Sequence, residues 1–409
     1  IGKAGKDNWT KLVMRCSINW ASIPAVVATS RSKCGRPNTF RTLRTRAEYA
    51  EPAEPPKVTS NTMRIAIQGS GISAAACAKR LSATHSVTVF ESGRGPGGRM
   101  STRRAEAYQF DHGAQYFSPK TEAFSNIVED WCKTGLCSPW EANHCTWNAQ
   151  SGIQPDPKAA IATRYVGTPS MNAICKGLLE NVDTKFSITA AAMRHASGKG
   201  WTLKDIKSGK ALGDFDFLIC SDKTAAANYK KDLDRSELGG YIKSANAVSS
   251  VQGLVIMVAT EGRTGLPFDS LLLDGHPAFS WIARDDSKPG RTRTDASECW
   301  VLQSCPSFNA TFFATLKNAK GRPDFRAAAL TQLVPHFHHL LSEMGCGAEA
   351  PTKIVLTQGH RWGGAFPTST FAGTSDNFYL DEGKGFAAIG DYFTEYPARV
   401  EGGWISGDS

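Results

Sequence analysis

The sequence predicts an α/β protein of two domains, the first built on a parallel sheet. Three observations predict it. A strand, a glycine turn, a helix, a second strand and an acidic residue follow one another in register between Arg64 and Glu91. Strand-like runs return in the second half, at Val248–Leu273, Ala278–Arg284 and Cys299–Ser307. With 409 residues, the chain is long enough to bury a large core and to divide into two domains.

Arg64–Gln68 is a short apolar run with alternate isoleucines, the pattern of a buried parallel strand, and it stops at Gly69. Gly69-Ser70-Gly71 lets the chain turn tightly and brings bare backbone to a pyrophosphate. From Ile72 to Leu81 the apolar residues recur at helical spacing, with Ser73 in the first turn. A phosphate would then sit on a helix N-terminus, where free N–H groups and the dipole favour an anion. Ala74 takes the place of the usual third glycine and is small enough for the same close packing. Ser86–Phe90 reads as the second strand. Glu91 follows, 20 residues beyond Gly71, where a carboxylate accepts both hydroxyls of an adenosine ribose and repels a 2′-phosphate. This disfavours NADP and leaves FAD and NAD both open.

Arg94-Gly95-Pro96-Gly97-Gly98-Arg99-Met100-Ser101-Thr102 resembles the second dinucleotide motif of the flavin amine oxidases. Asp111-His112-Gly113-Ala114-Gln115-Tyr116-Phe117 narrows the resemblance to renalase and the renalase-like FAD-dependent oxidoreductases of bacteria and plastids. Gly97 and Gly98 leave backbone amides bare, and Arg99 offers a forked contact to a pyrophosphate. The resemblance runs from Met63 to Ser409. It implies a Rossmann-like FAD-binding domain assembled from residues 63–120, 180–235 and 370–409, and an α+β substrate domain with a mixed antiparallel sheet from 121–179 and 236–369. Among its implied cofactor contacts are Gly98, Met100, Gln115 and Tyr116.

The formal charge of +9 is unevenly placed. Residues 1–60 hold 11 Lys/Arg and 4 Asp/Glu, leaving a body near neutrality that gives a nucleic-acid partner no support. Residues 1–62 read as a basic, Ser/Thr-rich extension of organelle-transit composition, followed by the Pro-rich linker Glu51–Pro56. A plastid, at the stroma or stromal face of the thylakoid, is the expected compartment and a mitochondrion the less favoured one. Trp9 and Trp20 would anchor the extension to protein partners if it is retained. No apolar run reaches the 18 or so residues of a membrane span. The 11 dispersed cysteines, without a CxxC, fit a reducing compartment. Cys132, Cys137 and Cys145 form a cluster whose spacing suits no common zinc pattern.

Thr121–Lys133 is an amphipathic helix with Phe124, Ile127, Val128 and Trp131 on one face. Trp140–Gln150 reads as strand and turn, and Asn172–Leu179 as a helix. Phe186–Met193, Trp201–Leu203 and Phe215–Cys220 read as strands, and the resemblance implies that the backbone of Ala191 pairs with an adenine edge. Arg326–Leu341 is a helix whose His336, His338 and His339 read as a solvated end rather than a metal site. His360-Arg361-Trp362 either walls the cavity over a flavin or packs a tryptophan between domains. Gly363-Gly364 replaces the bulky or basic residue frequent there in the resembled proteins, which implies a different cavity shape. Phe386–Ile389 is a short buried strand ahead of Asp391, which the resemblance assigns to the ribitol or phosphate edge of FAD. Val400–Gly407 matches the closing motif, implying that Glu401, Gly402, Trp404 and Ile405 lie beside the flavin pyrimidine. The resembled proteins continue into a helix of several turns where this sequence stops at Ser409, which implies that the dipole beneath the ring is missing and FAD less firmly retained.

Hydride transfer from a small reduced substrate to flavin, with reoxidation by oxygen, is the activity that the resemblance implies. Dihydronicotinamide isomers are its first substrate class and amines the second. No metal site is expected. A different class of function stays open: an accessory subunit of a plastid membrane complex that keeps the fold with little catalysis.

Overall fold

The computed structural model describes residues 62–409, apart from 196, 228–229, 292, 318–323 and 345–352. The basic extension and its linker, with Trp9, Trp20, Cys16 and Cys34, lie outside the described residues. The fold is mixed α/β, with one mainly parallel and one mainly antiparallel sheet.

Arg64–Gln68 lies inside a six-stranded sheet. Its parallel neighbours are Ser86–Glu91 and Phe217–Cys220, with Ala66 opposite Thr88 on one side and Leu218 on the other. Asp183–Phe186 and Phe386–Ile389 extend the sheet in parallel, and Phe378–Asp381 closes one edge in the antiparallel sense. Both faces are covered, so Ile65, Ala66 and Ile67 are all buried, as the unbroken apolar run requires. The helix Ile72–Leu81 crosses one face with Ala74, Ala75 and Ala78 fully buried. Small residues there admit the C-terminal helix Val400–Asp408 at close range. A Cβ on Gly403 would come 2.6 Å from Ile72 Cγ2, and one on Gly407 would overlap the carbonyl oxygen of Ser73.

Two expected strands are each divided. The run Phe186–Met193 breaks at Ser187, whose φ is +60°. There the Ser187 and Ile188 amides donate to the carbonyls of Gly93 and Glu91, which ends the parallel pairing. The chain resumes at Ala190–Arg194 in a separate antiparallel sheet with Trp201–Asp205 and Ala211–Phe215. The run Phe215–Cys220 likewise changes sheets at Asp216, whose amide donates to the Arg64 carbonyl.

The second large sheet has seven strands, in the order Lys353–Pro367, Ser250–Glu261, Glu298–Ser304, Phe279–Arg284, Ser270–Leu273, His144–Asn148 and Gly152–Pro155. Its pairings are antiparallel except that between Ser270–Leu273 and His144–Asn148. Side chains alternate between two faces along each strand. Leu254, Ile256, Val258, Trp300 and Leu302 pack with Phe312, Leu333 and Phe337 of the helices Pro306–Lys317 and Phe325–Glu343. Val255, Met257, Ala259 and Val301 turn the other way, against Phe110.

The expected strand through Ser307 stops at Ser304, because Pro306 opens a helix. Arg235–Ala247 is a further helix that periodicity did not reveal. In Glu122–Lys133 the predicted apolar face is buried through Phe124, Val128 and Trp131, and Thr121 caps the helix by accepting from the Phe124 amide. Cys132 and Cys137 bring their sulfurs to 3.4 Å, whereas Cys145 stands apart on the seven-stranded sheet. His338 and His339 are exposed, while His336 meets the rings of His276 and Phe308. Among the described residues, no helix is long and apolar enough to cross a membrane.

Packing of the two helices through Gly403 and Gly407 predicts an asymmetric response to added methyl groups. Gly407→Ala should lower unfolding stability by about 1–3 kcal/mol, because backbone must move to admit the Cβ. Gly363→Ala, where a Cβ meets nothing within 4 Å, should stay within about 0.5 kcal/mol of the parent. Urea midpoints of both variants check this, and equal losses would contradict it.

Candidate functional site

The C-terminal ends of the parallel strands bring Gly69, Glu91, Ser221 and Asp391 to one edge of the sheet, the position at which open α/β sheets bind ligands. Gly69 turns there with φ +98°, and its amide donates to the Phe90 carbonyl at 2.8 Å. A Cβ at Gly69 would strike Ser221 Oγ, so the turn itself demands glycine.

Gly71 is different. Its φ of −70° and ψ of 179° suit any residue, and a Cβ there would find its nearest neighbour at 3.9 Å. The fold therefore has no need of glycine at the head of this helix, yet the position is bare and faces Gly97 and Gly98. The Gly97 amide donates to the Ser70 carbonyl at 2.9 Å, which joins the two glycine segments. Gly97, at φ +128°, and Gly98, at φ +52°, need their glycines for the backbone. The result is a notch at a helix N-terminus, with Gly98 exposed, Gly71 half-buried and Gly97 buried, which fits a dinucleotide pyrophosphate.

Glu91 stands beside this notch. Its carboxylate accepts from the Ser70 amide at 2.9 Å, Ser70 Oγ at 2.6 Å and the Gly93 amide at 2.5 Å. Two of these acceptances are from backbone, so Glu91 first closes its own turn, and a ribose hydroxyl would compete with that of Ser70.

Arg99 and Asp391, read separately from the sequence, form one forked ion pair with contacts of 2.8 and 2.5 Å. The Asp391 side chain is 2 % exposed and that of Arg99 43 %, so the pair buries its acid more fully than its base, and both terminal nitrogens of the guanidinium are engaged by Asp391. Burial opposes the charge on Arg99, but the Asp391 carboxylate outweighs it and holds the guanidinium pKa above its ordinary value. Asp391 also accepts from the Ala398 amide at 2.7 Å.

The remaining expected contacts have the following neighbours in the fold. Ser73 is buried against Gly403 and Gly407 between the helices. Met100 belongs to the core beneath the sheet. The Glu401 carboxylate is taken up by the Lys120 and Thr121 amides, both at 2.8 Å, and by Thr121 Oγ1 at 2.7 Å. It thereby fastens the C-terminal helix to the cap of Glu122–Lys133. Trp404 packs on Phe124, Gly402 lies against the Tyr396 carbonyl, and Ile405 is half-buried. Ala191 stands opposite Lys204 in the three-stranded sheet. Tyr116 lies between Trp281 and the Arg164 guanidinium, which is 4.5 Å from its ring.

The Asp111–Phe117 segment carries the second half of the site. Gly113 fits only as glycine, because a Cβ would overlap the Arg99 carbonyl and lie 3.4 Å from Trp362. Trp362 Nε1 donates to the His112 carbonyl at 2.9 Å. The rings of His112, His360 and Trp362 then form one wall, with His112 and Trp362 stacked at 5.2 Å and His360 4.4 Å from Trp362. Sequence reasoning singled out His360 and Trp362 but missed His112, although it lies within a quoted motif. Burial and then the nearby Arg103 push the His112 pKa down to about 4, and burial and then His112 push His360 down to about 3. Both rings are neutral at pH 7. Arg103 Nη2 stands 3.5 Å from His360 Nδ1, and a guanidinium only donates, so Nδ1 accepts and the ring proton sits on Nε2.

Behind the wall, Asp111 accepts from Thr102 Oγ1 at 2.6 Å and from Arg291 at 2.5 Å, with Lys288 Nζ at 3.5 Å. Lys288 also reaches Asp285 at 2.7 Å and Gln115 at 3.4 Å. All four charged side chains are buried. Burial would raise the Asp111 pKa, but Arg291 and Lys288 hold it below the usual carboxylate range. The network ties the Asp111–Phe117 segment to the turn after Phe279–Arg284.

Residues 67–131 match the family model of the NAD(P)-binding Rossmann-like domain. An oxidoreductase from Methanosarcina mazei superposes with a TM-score of 0.56 at 12% identity, over 84% of this chain and 99% of that one. A proposed protoporphyrinogen oxidase from Exiguobacterium sp. 255-15 gives a TM-score of 0.57 at 11% identity, over 85% of this chain and 97% of its own. The chain thus contains a Rossmann-like dinucleotide-binding domain, set within a fold shared with these two oxidoreductases.

The depressed His360 pKa makes an acid-sensitivity prediction. Below pH 6.5 the unfolded chain binds a proton at this residue that the folded chain refuses until about pH 3, so stability falls as pH falls through that window. The stability advantage of the parent over His360→Gln should shrink by on the order of 2 kcal/mol between pH 6.5 and 4.5, read from urea midpoints. A difference independent of pH would mean that the ring titrates normally.

Proposed function

We propose that the protein is an FAD-dependent oxidoreductase that accepts a hydride from a small reduced substrate, with dihydronicotinamides as the first class. The observation that carries this reading is Gly71, a glycine that the backbone does not require, left bare at a helix N-terminus beside two further glycines. The resemblance of residues 94–102 and 111–117 to flavoprotein motifs favours FAD over NAD as the resident dinucleotide. The fold neighbours, one an oxidoreductase and one a proposed protoporphyrinogen oxidase, are consistent with redox chemistry.

When bound, FAD supplies the hydride acceptor, and oxygen is the terminal oxidant in this reading. The chain's own residues supply position. The Gly71 and Gly97–Gly98 main chain would hold the pyrophosphate, Glu91 would take the adenosine ribose, and Arg99, its fork fixed by Asp391, would offset phosphate charge. Trp362, stacked on the buried His112 ring and met edge-on by His360, would give a planar substrate a ring to lie against. Both imidazoles stay neutral, so neither ring donates a ready proton, and the charge at this end of the wall is that of Arg103 beside His360.

Protein purified with its cofactor should absorb near ~450 nm and bleach anaerobically with a dihydronicotinamide, as flavins do. Gly71→Val isolates the cofactor claim from folding, because the added side chain enters the clear space over the notch. Its flavin content should drop at least tenfold while its apoprotein midpoint stays within about 1 kcal/mol of the parent. Parental flavin content in Gly71→Val would remove the pyrophosphate from this position.

A further inference from the structure

The helix Glu122–Lys133 ends in a reversal that brings two thiols into contact. Gly135 turns the chain at φ +75°, and its amide donates to the Cys132 carbonyl at 3.1 Å. The Leu136 amide reaches further back, to the Trp131 carbonyl at 2.8 Å. These bonds satisfy carbonyls that the helix end would leave open, and glycine takes the left-handed position without strain. The chain then enters the strand Cys137–Pro139, where Cys137 stands opposite Gly167 in an antiparallel pair. Backbone hydrogen bonds hold both sides of the reversal, so Cys132 and Cys137 keep their sulfurs 3.4 Å apart with four residues between them.

The two thiols differ in access. Cys132 is half-buried, and among the described residues it is the one cysteine that is not buried. Cys137 is 1 % exposed. Burial, and then its hydrogen bond with Cys132, push the Cys137 thiol well above its ordinary range. It therefore keeps its proton and donates toward the Val128 carbonyl at 3.6 Å. Buried thiols by themselves are inert, whereas an accessible thiol with a second sulfur beside it can be oxidised and restored. Other described cysteines have different neighbours: Cys145 meets Asn143 Oδ1, and Cys305 meets Ser307 Oγ and the Pro277 carbonyl.

We propose that Cys132 and Cys137 form a hydroperoxide-reactive dithiol that closes to a disulfide and is reopened by a small dithiol. Cys132, which solvent reaches, attacks one peroxide oxygen as a thiolate. An S–O bond forms, the O–O bond breaks, and the hydroxide that leaves takes up the proton Cys132 released. The Cys137 sulfur then attacks the Cys132 sulfur, so that the S–S bond forms, the S–O bond breaks and a second water leaves with the Cys137 proton. In total the thiols lose two electrons and two protons, and the peroxide becomes two waters. The reversal supplies the second sulfur in contact with the first, so the second step needs no diffusing partner. Exchange with a small dithiol, itself oxidised to the disulfide, returns both thiols. The pair lies apart in sequence from the glycine notch and the aromatic wall, and the proposal goes beyond the function given above without resting on it.

The test exposes the full chain, as purified, to hydrogen peroxide in native buffer, with dimedone in parallel samples to trap sulfenic acid. Remaining thiols are alkylated in denaturant and the peptides mapped by mass spectrometry. Trypsin cuts at Lys133, between the two cysteines, so their peptides stay joined only through the new bond. The parent should give the joined peptides with Cys145 alkylated, and dithiothreitol should return both thiols. Cys137→Ser removes the second step, so dimedone should label Cys132 about tenfold more than in the parent. Cys132→Ser should leave Cys137 unlabelled in its buried site. Two alkylated thiols in the parent, at peroxide that oxidises free glutathione, overturn the proposal, and so does dimedone on Cys132 in the parent without joined peptides. The parent alone decides these outcomes, so a variant that fails to fold leaves the test intact. Joined peptides from a flavin-free preparation would support the dithiol even where the cofactor reading fails.

Discussion

Everything in this protein is arranged around one constraint, that bare main chain must meet bare main chain where the first strand turns into the first helix. Gly69 turns the chain against Ser221, and Gly71 faces Gly97 across the resulting notch. The sheet order puts the Glu91 and Asp391 strand ends at the same edge, so the carboxylate that closes the turn and the one that aims Arg99 are both delivered by parallel strands. The small faces of Ile72–Leu81 and Val400–Asp408 then let two helices close beneath the notch, at a distance that larger residues would forbid.

The seven-stranded sheet reaches this edge through charge rather than through apolar packing alone. Asp111, Lys288, Arg291 and Asp285 are balanced two against two and are buried together. Such a network adds little net stability over an apolar substitute, because desolvation offsets most of the attraction. What it does is fix position: Asp111 also accepts the Met171 amide, and Gln115, held by Lys288, grips its own loop at the Asp111 and Gly113 carbonyls. The Gly113 loop is thereby pinned between Arg99 and Trp362, and the aromatic wall inherits its orientation from the glycine segment it faces.

Much of the first sheet was legible because its signals are local. Arg64–Gln68 and Ile72–Leu81 were read to the residue, since an apolar run, a glycine stop and a helical repeat all fall within about 20 residues. Where the deciding contact is distant, reading failed. Ser187 breaks a strand because Gly93 and Glu91 offer it carbonyls, and nothing in the neighbouring sequence announces that. Lys353–Pro367 was not recognised as a 15-residue strand because its partner is Ser250–Glu261, more than 90 residues earlier. The segment around Lys288 has the composition of a solvated turn, and its lysine is buried only because Asp111 and Asp285 meet it there. Candidate site residues divided in the same way: spacing singled out the glycines, whereas the pairing of Arg99 with Asp391 and the place of His112 beside Trp362 depend on tertiary structure.

The central claim is that the notch between Gly71 and Gly97 is the seat of an adenine dinucleotide. Its most direct test is an experimental structure of the full chain equilibrated with FAD. The account predicts the pyrophosphate over Gly71 and Gly98, the adenosine ribose within hydrogen-bond distance of Glu91, and the isoalloxazine extending toward Trp362. An empty notch at saturating FAD, or the cofactor bound away from these glycines, would contradict it.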